Sequence, residues 1–251
     1  MISLNNHGLF PAPTQSEADF LKKIQWLEER KLIPSAPSTL PLMQHLDLNP
    51  SWVPQRHDRK GLSFWEGAAL WEEKIAPHVR IPTLQIPSQS YIPHEELLAH
   101  EMVHAARIDF EDSRFEEALA YRTSTKSWRR YWGPFFRTPK ETWVFLSLLA
   151  LVFLGESISP SYGWPSIIFL VFIGGWIRLQ RTHRCLQRCL KGLKSTMPRP
   201  EKAEALLLRL SDQEIAEFAK LTSGDLAQVI LSKNSWRWQL LRQIYWYTET
   251  A

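Results

Sequence analysis

Cysteine is scarce in this chain of 251 residues, which contains only Cys185 and Cys189. The two lie four positions apart in a basic stretch and match no thiolate zinc spacing, so we expect free thiols in a reducing compartment. The first 15 residues lack the basic start and apolar core of a signal peptide, and we expect no cleavable leader. Internal repeats and low-complexity segments are also missing from the sequence, which argues against a repeat architecture or a disordered chain.

No uninterrupted apolar run reaches the roughly 20 residues that a single membrane-spanning helix requires. Two shorter uncharged runs, 142–155 and 164–177, lie close together and are joined by a connector without lysine or arginine. Tryptophan or tyrosine marks both ends of the pair, as in an aromatic belt. These features predict a membrane hairpin at 141–180, with slight bilayer thinning to absorb the missing length. Each run taken singly also fits a long buried core helix, and this alternative stays open.

The basic residues are concentrated beside the two apolar runs. The chain has a net charge of +4 and a pI of about 9.1, a balance that suits either nucleic acid or an anionic membrane. The flanking residues are Lys126, Arg129, Arg130, Arg137 and Lys140 on one side and Arg178, Arg181, Arg184, Arg188, Lys191 and Lys194 on the other. Their position predicts a lipid bilayer and not nucleic acid as the partner. By the positive-inside rule, both termini of an integral protein, for example of a bacterial inner membrane, then lie in the cytoplasm.

The run HEMVH, from His100 to His104, carries the clearest chemistry in the sequence. A helix predicted over about 93–110 places the two histidines on one face, one turn apart, where both imidazoles can bind one Zn²⁺ ion. Glu101 points about 100° away from His100 and is predicted to act as the general base on water. Two histidines and a glutamate on a solvated helix are the alternative. The apolar neighbours on both sides of the motif favour a buried helix, in which such groups need partners.

A third ligand is expected from RFEEALAYR, 114–122, on a second helix predicted over 114–127. With HEMVH, this run resembles the gluzincin pattern of the thermolysin-like zincin superfamily, in which HExxH is followed by a glutamate on a later helix. The resemblance implies Glu117 as the third metal ligand, with Glu116 as the alternative. The family normally has an aspartate where this chain has Tyr121, and the tyrosine is expected to support a histidine or to stabilise an oxyanion.

The remaining patterns predict an α+β, mostly helical chain. We expect a cytoplasmic zincin-like catalytic domain with a small edge sheet over 1–140, the hairpin over 141–180 and a helical cytoplasmic C-terminal region over 181–251. Pro82 and Pro87 confine the strand predicted at 79–87 to a sheet edge, because proline cannot donate to an interior ladder. The aromatic and cationic run 236–247 fits either the membrane interface or packing against the catalytic domain.

The leading interpretation is a membrane-anchored zinc metalloendopeptidase that acts on peptide or protein substrates, membrane-associated ones included. A membrane-anchored binding or scaffold protein with a structural or degenerate metal site is the first alternative. Zinc-dependent hydrolysis of a bond other than a peptide is the second. Zinc content separates the first alternative from the peptidase, and a panel of substrates separates the second.

Overall fold

The computed structural model of the protein describes residues 2–33, 40–62, 67–88, 92–111, 114–158 and 163–247. Most of these residues are helical and a few form one small mixed sheet, which agrees with the predicted α+β class. The strands are β1 (Gln55–Arg56), β2 (Ala69–Ala76) and β3 (Val79–Gln85). The helices are α1 (Ile2–Asn5), α2 (Glu17–Glu29), α3 (Pro41–His45), α4 (His94–Ala106), α5 (Glu116–Ala120), α6 (Ser127–Trp132), α7 (Pro139–Ile158), α8 (Gly163–Thr196), α9 (Ala203–Leu207), α10 (Asp212–Phe218), α11 (Ser223–Ser232) and α12 (Trp236–Arg242).

The sheet order is β1–β3–β2, so the prediction that residues 79–87 form an edge strand is wrong. β3 pairs in antiparallel fashion with β2 along most of its length and in parallel with β1 at Leu84 and Gln85. Pro82 is tolerated in this central strand because β1 is too short to reach it, so that section of β3 has a strand partner on one side only. Within the described residues, β2 is the long edge strand.

The two helices that carry the HExxH motif and the following glutamates are shorter than predicted. Helix α4 ends at Ala106, and α5 is a single turn that continues as a 3-10 turn over Tyr121–Thr123 before the chain becomes extended at Ser124. Packing of α5 against α4 brings Glu116 and Glu117, both in the first turn of α5, towards the last turn of α4. The packing of α5 against the end of α4 therefore sets the distance between the histidines and the glutamates.

Helix α4 runs through the hydrophobic core. Met102, Val103 and Ala105 are fully buried, as the apolar residues around the motif predicted. Buried side chains from both 1–140 and 181–251 belong to the same hydrophobic cluster. The two ranges on either side of the predicted hairpin therefore share one hydrophobic core. The limits given for the three domains stay a prediction.

Two buried arginines hold the C-terminal helices against the rest of the protein. Arg209 donates hydrogen bonds to the carbonyl oxygens of Asn5, Leu46 and Asp47, and to the side chain of Asn5. Arg237 of α12 pairs with Glu214 of α10 at 3.0 Å and donates a hydrogen bond of 3.2 Å to the carbonyl oxygen of Pro11. Most of the apolar side chains of α12 are also buried, and Trp236 and Tyr245 donate hydrogen bonds to Gln15 and Asp47. The 236–247 run therefore packs against residues of the range 1–140, which is one of its two predicted positions.

Helix α7 has apolar side chains that face outwards. Of the helices in the described part of the chain, it alone is long and apolar enough to cross a membrane, with 20 residues, a mean hydropathy of 1.6 and 6% of its apolar window buried. The second predicted run forms the first part of α8, where Phe169, Leu170 and Trp176 are also exposed. Residues 159–162 of the predicted connector lie outside the described residues.

Candidate metal centre

His100 and His104 face the same side of α4, as their spacing predicted. Their Nε2 atoms are 3.3 Å apart and their rings meet edge to face, with both side chains mostly buried. A helix holds residues i and i+4 in this relation because one turn separates them. Both imidazoles thus direct the same nitrogen towards one point.

Glu117 completes this group from α5. One of its carboxylate oxygens lies 3.7 Å from Nε2 of His100 and the other lies 3.7 Å from Nε2 of His104. One ligand atom from each of the three residues lies within 4.8 Å of the others. Tetrahedral zinc with bonds of about 2.0–2.1 Å keeps its ligand atoms roughly 3.4 Å apart. The separations and the two-nitrogen, one-oxygen donor set are therefore compatible with a metal ion such as zinc.

Glu116, the alternative ligand, lies on the other side of His104. Nδ1 of His104 donates a hydrogen bond of 2.8 Å to its carboxylate. This bond keeps a proton on Nδ1, so Nε2 is the nitrogen that a metal would bind in exchange for a proton, which is how a carboxylate orients a histidine ligand. The adjacent glutamates therefore take different positions, with Glu117 at the converging atoms and Glu116 behind one of the histidines.

The charges in this group are strongly coupled. Burial lowers the pKa of His104, but the carboxylates of Glu116, Glu117 and Glu101 outweigh burial and raise it to about 9. Burial, assisted by Glu101 and Glu116, raises the pKa of Glu117 to about 7. Burial and the neighbouring His104 and Arg129 hold the pKa of His100 well below its usual range. Three carboxylates around two imidazoles make the site favourable for a cation.

Glu101 is buried and faces the same cleft as the histidines and Glu117. Desolvation raises the pKa of its carboxyl, with a further increase from Glu116 and a decrease from His104. A carboxylate with a raised pKa is a better proton acceptor. This environment suits the base role predicted from the motif.

Tyr121 packs edge to face against the ring of His100, with ring centres 4.6 Å apart. The ring fits against Gly133, where an added Cβ would lie 2.3 Å from a Tyr121 ring carbon. Burial and Glu117 raise the pKa of the Tyr121 phenol. Tyr121 is therefore placed beside a histidine and at the cleft surface, which leaves both of its predicted roles open.

Glu96 and Arg129 also belong to this site, although the sequence did not predict them there. Glu96 is buried, lies four residues before His100 on the same helix face and pairs with Arg129 at 2.7 Å. Arg129 lines the cleft and lies 5.9 Å from the centre of the Tyr121 ring. The i, i+4, i+8 spacing of Glu96, His100 and His104 was the available signal, whereas nothing in the sequence distinguished Arg129 from the other basic residues near it.

The metal centre opens into a cleft of about 630 Å³. Ala68, Ala69 and Leu70, at the start of β2, form part of its wall. Pro139, the first residue of α7, also lines the cleft. The edge strand at this site is thus β2, not the predicted 79–87 strand.

Comparisons with models of known protein families, with curated proteins and with solved structures found no match in any of the three. The geometry around His100, His104 and Glu117 therefore carries the functional interpretation. All six residues predicted for the site, including Glu101, Glu116 and Tyr121, line one cleft.

Proposed function

We propose that the protein is a membrane-anchored zinc metallopeptidase of the gluzincin type, with a zincin-like catalytic domain. The observation that carries this proposal is the convergence of Nε2 of His100, Nε2 of His104 and the carboxylate of Glu117. A solvated pair of histidines would have no reason to converge with a half-buried carboxylate on the next helix.

His100, His104 and Glu117 would hold the zinc ion, and Glu116 would orient His104 through Nδ1. Zinc bound there supplies a Lewis acid that polarises water and a peptide carbonyl. Structural zinc sites use four protein ligands, whereas catalytic ones use three and keep a position open. The three-residue donor set thus favours catalysis over a purely structural metal.

Glu101 acts as the proton carrier in this mechanism. It accepts a proton from the attacking water and delivers it to the amine nitrogen as the peptide bond breaks. Negative charge develops on the former carbonyl oxygen in the transition state, and Tyr121 and Arg129 are the cleft groups suited to stabilise it. Glu96 keeps Arg129 in position through their 2.7 Å ion pair.

The cleft favours an extended peptide as substrate. Within the described residues β2 pairs with β3 alone, so its other edge can hydrogen-bond to an added strand. Ala68 and Ala69 leave room for such a strand beside the metal ligands because their side chains are small. Since Pro139 of α7 lines the same cleft, substrates close to the bilayer surface reach it most easily.

Anchorage is proposed to involve α7 and the first part of α8 as a two-helix hairpin. The exposed apolar side chains of both helices would otherwise form a large apolar surface in water, which soluble proteins rarely present. Basic residues beyond each run favour cytoplasmic termini and an integral protein, as in a bacterial inner membrane.

Glu101→Gln tests the mechanism, because it keeps the shape of the side chain and removes the proton acceptor. The variant should retain about one zinc ion per chain and lose cleavage of a peptide library by roughly 10²–10⁴-fold. Glu95→Gln is the matched control, since Glu95 is an exposed glutamate on the same helix. Zinc content by mass spectrometry and cleavage by product analysis are measured on the same samples.

Near-normal cleavage by Glu101→Gln would contradict the mechanism. Wild-type protein that stays metal-free in the presence of zinc would contradict the metal centre itself. If the wild type holds zinc and cleaves no peptide in the library, the binding or scaffold alternative replaces the peptidase.

A further inference from the structure

A second cavity, separate from the metal cleft, lies between α6 and α8. Its volume is about 500 Å³, and Gln180, His183, Arg184 and Gln187 of α8 form one side of it. Arg122 and Arg130 line it from the other side. Residues that are adjacent in sequence line different cavities. Tyr121 and Arg129 line the metal cleft, whereas Arg122 and Arg130 line this second cavity.

The cavity is cationic. Its lining contains three arginines and one carboxylate, that of Glu204. Glu204 pairs with Arg122 at 2.9 Å and lies 3.9 Å from Lys194, so its charge is already balanced. Arg130 donates a hydrogen bond to the hydroxyl of Ser127, and within the described ranges neither Arg130 nor Arg184 forms an ion pair. Two guanidinium groups in the cavity are therefore available to an anion.

The cavity walls are held in place without a ligand. Tyr131 of α6 and His183 of α8 stack with ring centres 5.1 Å apart and planes 10° from parallel. Nε2 of His183 also donates to the carbonyl oxygen of Tyr131 at 2.9 Å. Gln180 forms a hydrogen bond with the Tyr131 hydroxyl. These contacts fix α6 to α8, so that binding of an anion would require little rearrangement.

The depth of the cavity matches the headgroup region of a bilayer. Gln180 and Arg184 follow the apolar run that ends at Ile177 by three and seven residues, or about 5 and 10 Å along a helix. Polar headgroups occupy roughly the first 5–8 Å beyond each side of the hydrocarbon core, so Gln180 lies within this layer. Arg184 lies just beyond it, at a distance that its long side chain can span. Trp132, at the C-terminal end of α6, stacks on Phe172 in the apolar part of α8, with ring centres 6.1 Å apart, so this end of α6 borders the apolar run.

We propose that this cavity binds the phosphate headgroup of an anionic phospholipid. Arginine suits this role because its planar group donates paired hydrogen bonds to phosphate oxygens. Basic pockets at the cytoplasmic ends of membrane helices recognise lipid headgroups by the same chemistry. The exposed Trp128 of α6 adds an indole of the type that favours the membrane interface. The inference rests on the membrane anchorage proposed above and is independent of peptidase activity.

The test uses the full-length protein in detergent micelles with added phosphatidylglycerol or phosphatidylcholine, and native mass spectrometry measures the bound lipid. Wild-type protein should bind phosphatidylglycerol in preference. Arg130→Gln combined with Arg184→Gln should weaken its binding about 100-fold, from about tenfold for each charge-assisted hydrogen bond to the phosphate that is lost. Arg181→Gln combined with Arg188→Gln is the matched control, because both residues are exposed on α8 outside the cavity. The control should change binding by less than about threefold.

Equal losses in the two double variants would overturn the proposal, since general charge attraction would then explain the binding. The absence of a preference for phosphatidylglycerol in the wild type would also overturn it. Glycerol phosphate that displaces the lipid completely would assign the cavity to a free phosphate compound instead. Release of the wild type from membranes by alkaline carbonate would remove the anchorage on which the inference rests. Loss of peptide cleavage in Glu101→Gln would leave the lipid preference unchanged, so the two proposals fail separately.

Discussion

Separate replacement of Glu116 and Glu117 tests which carboxylate binds the metal. Glu117 places one oxygen 3.7 Å from Nε2 of each histidine, whereas Glu116 accepts a 2.8 Å hydrogen bond from Nδ1 of His104. Removal of a group that orients a ligand typically weakens metal binding by about 10–100-fold, or about 1.4–2.7 kcal/mol. Glu116→Ala should fall in this range. Glu117→Ala should exceed about 100-fold, because a direct ligand is lost.

Glutamine variants sharpen this prediction. Glu116→Gln keeps an amide oxygen that can accept the Nδ1 hydrogen bond, so it should recover part of the affinity lost in Glu116→Ala. Glu117→Gln removes the negative charge next to the metal and should recover little. Glu111→Gln removes an exposed carboxylate from the same region and serves as the control.

Zinc affinity is measured by competition with a chromogenic chelator, and circular dichroism of each variant confirms that it folds. Equal losses for Glu116→Ala and Glu117→Ala would refute the division of roles. A larger loss for Glu116→Ala would show that the register of the third ligand is wrong by one residue.

Three further predictions follow from single contacts. Gly133→Ala places a Cβ against the ring of Tyr121 and should lower peptide cleavage by about 100-fold at nearly unchanged zinc content. In a Tyr121→Ala background the same change should lower cleavage little further. A further 100-fold loss in that background would contradict the steric explanation. Since the pKa of His104 is raised to about 9, zinc must displace a proton below that pH, and its affinity should rise about tenfold per pH unit from pH 7 to 9; a flat profile in a chelator competition would contradict this. Arg209→Leu leaves buried carbonyl oxygens without donors and should destabilise the protein by about 3 kcal/mol or more in urea unfolding, whereas a loss below about 1 kcal/mol would contradict the role of Arg209 in holding the C-terminal helices.

Local patterns predicted the helix that carries the HEMVH motif. The i, i+4 spacing of His100 and His104 and the apolar residues around them were enough to predict a buried helix with both imidazoles on one face. The capping box that starts α10 is equally local, because its two hydrogen bonds join Ser211 and Glu214, three residues apart. These features depend on residues within one or two turns, where helix geometry fixes the relative positions of side chains.

Sheet order was not predictable in the same way. Proline cannot donate a backbone hydrogen bond, so Pro82 led to the prediction of an edge strand. It did not show that β1 pairs with the end of β3 only and does not extend as far as Pro82. The position of β3 between β1 and β2 depends on pairing between segments far apart in the sequence. The finding that β2 and not β3 is the long edge strand at the cleft therefore required the tertiary structure.

The sequence by itself determined which chemical groups are available to this protein. Two histidines and a glutamate lie on one buried helix, two further glutamates follow shortly after them, and basic residues flank two apolar runs. The tertiary structure decided that Glu117 converges with Nε2 of both histidines while Glu116 bonds to Nδ1 of His104. It also brought Arg129 to the same cleft. Spacing along one helix follows from its fixed rise and turn, whereas the direction of a side chain on another helix depends on how the two helices pack.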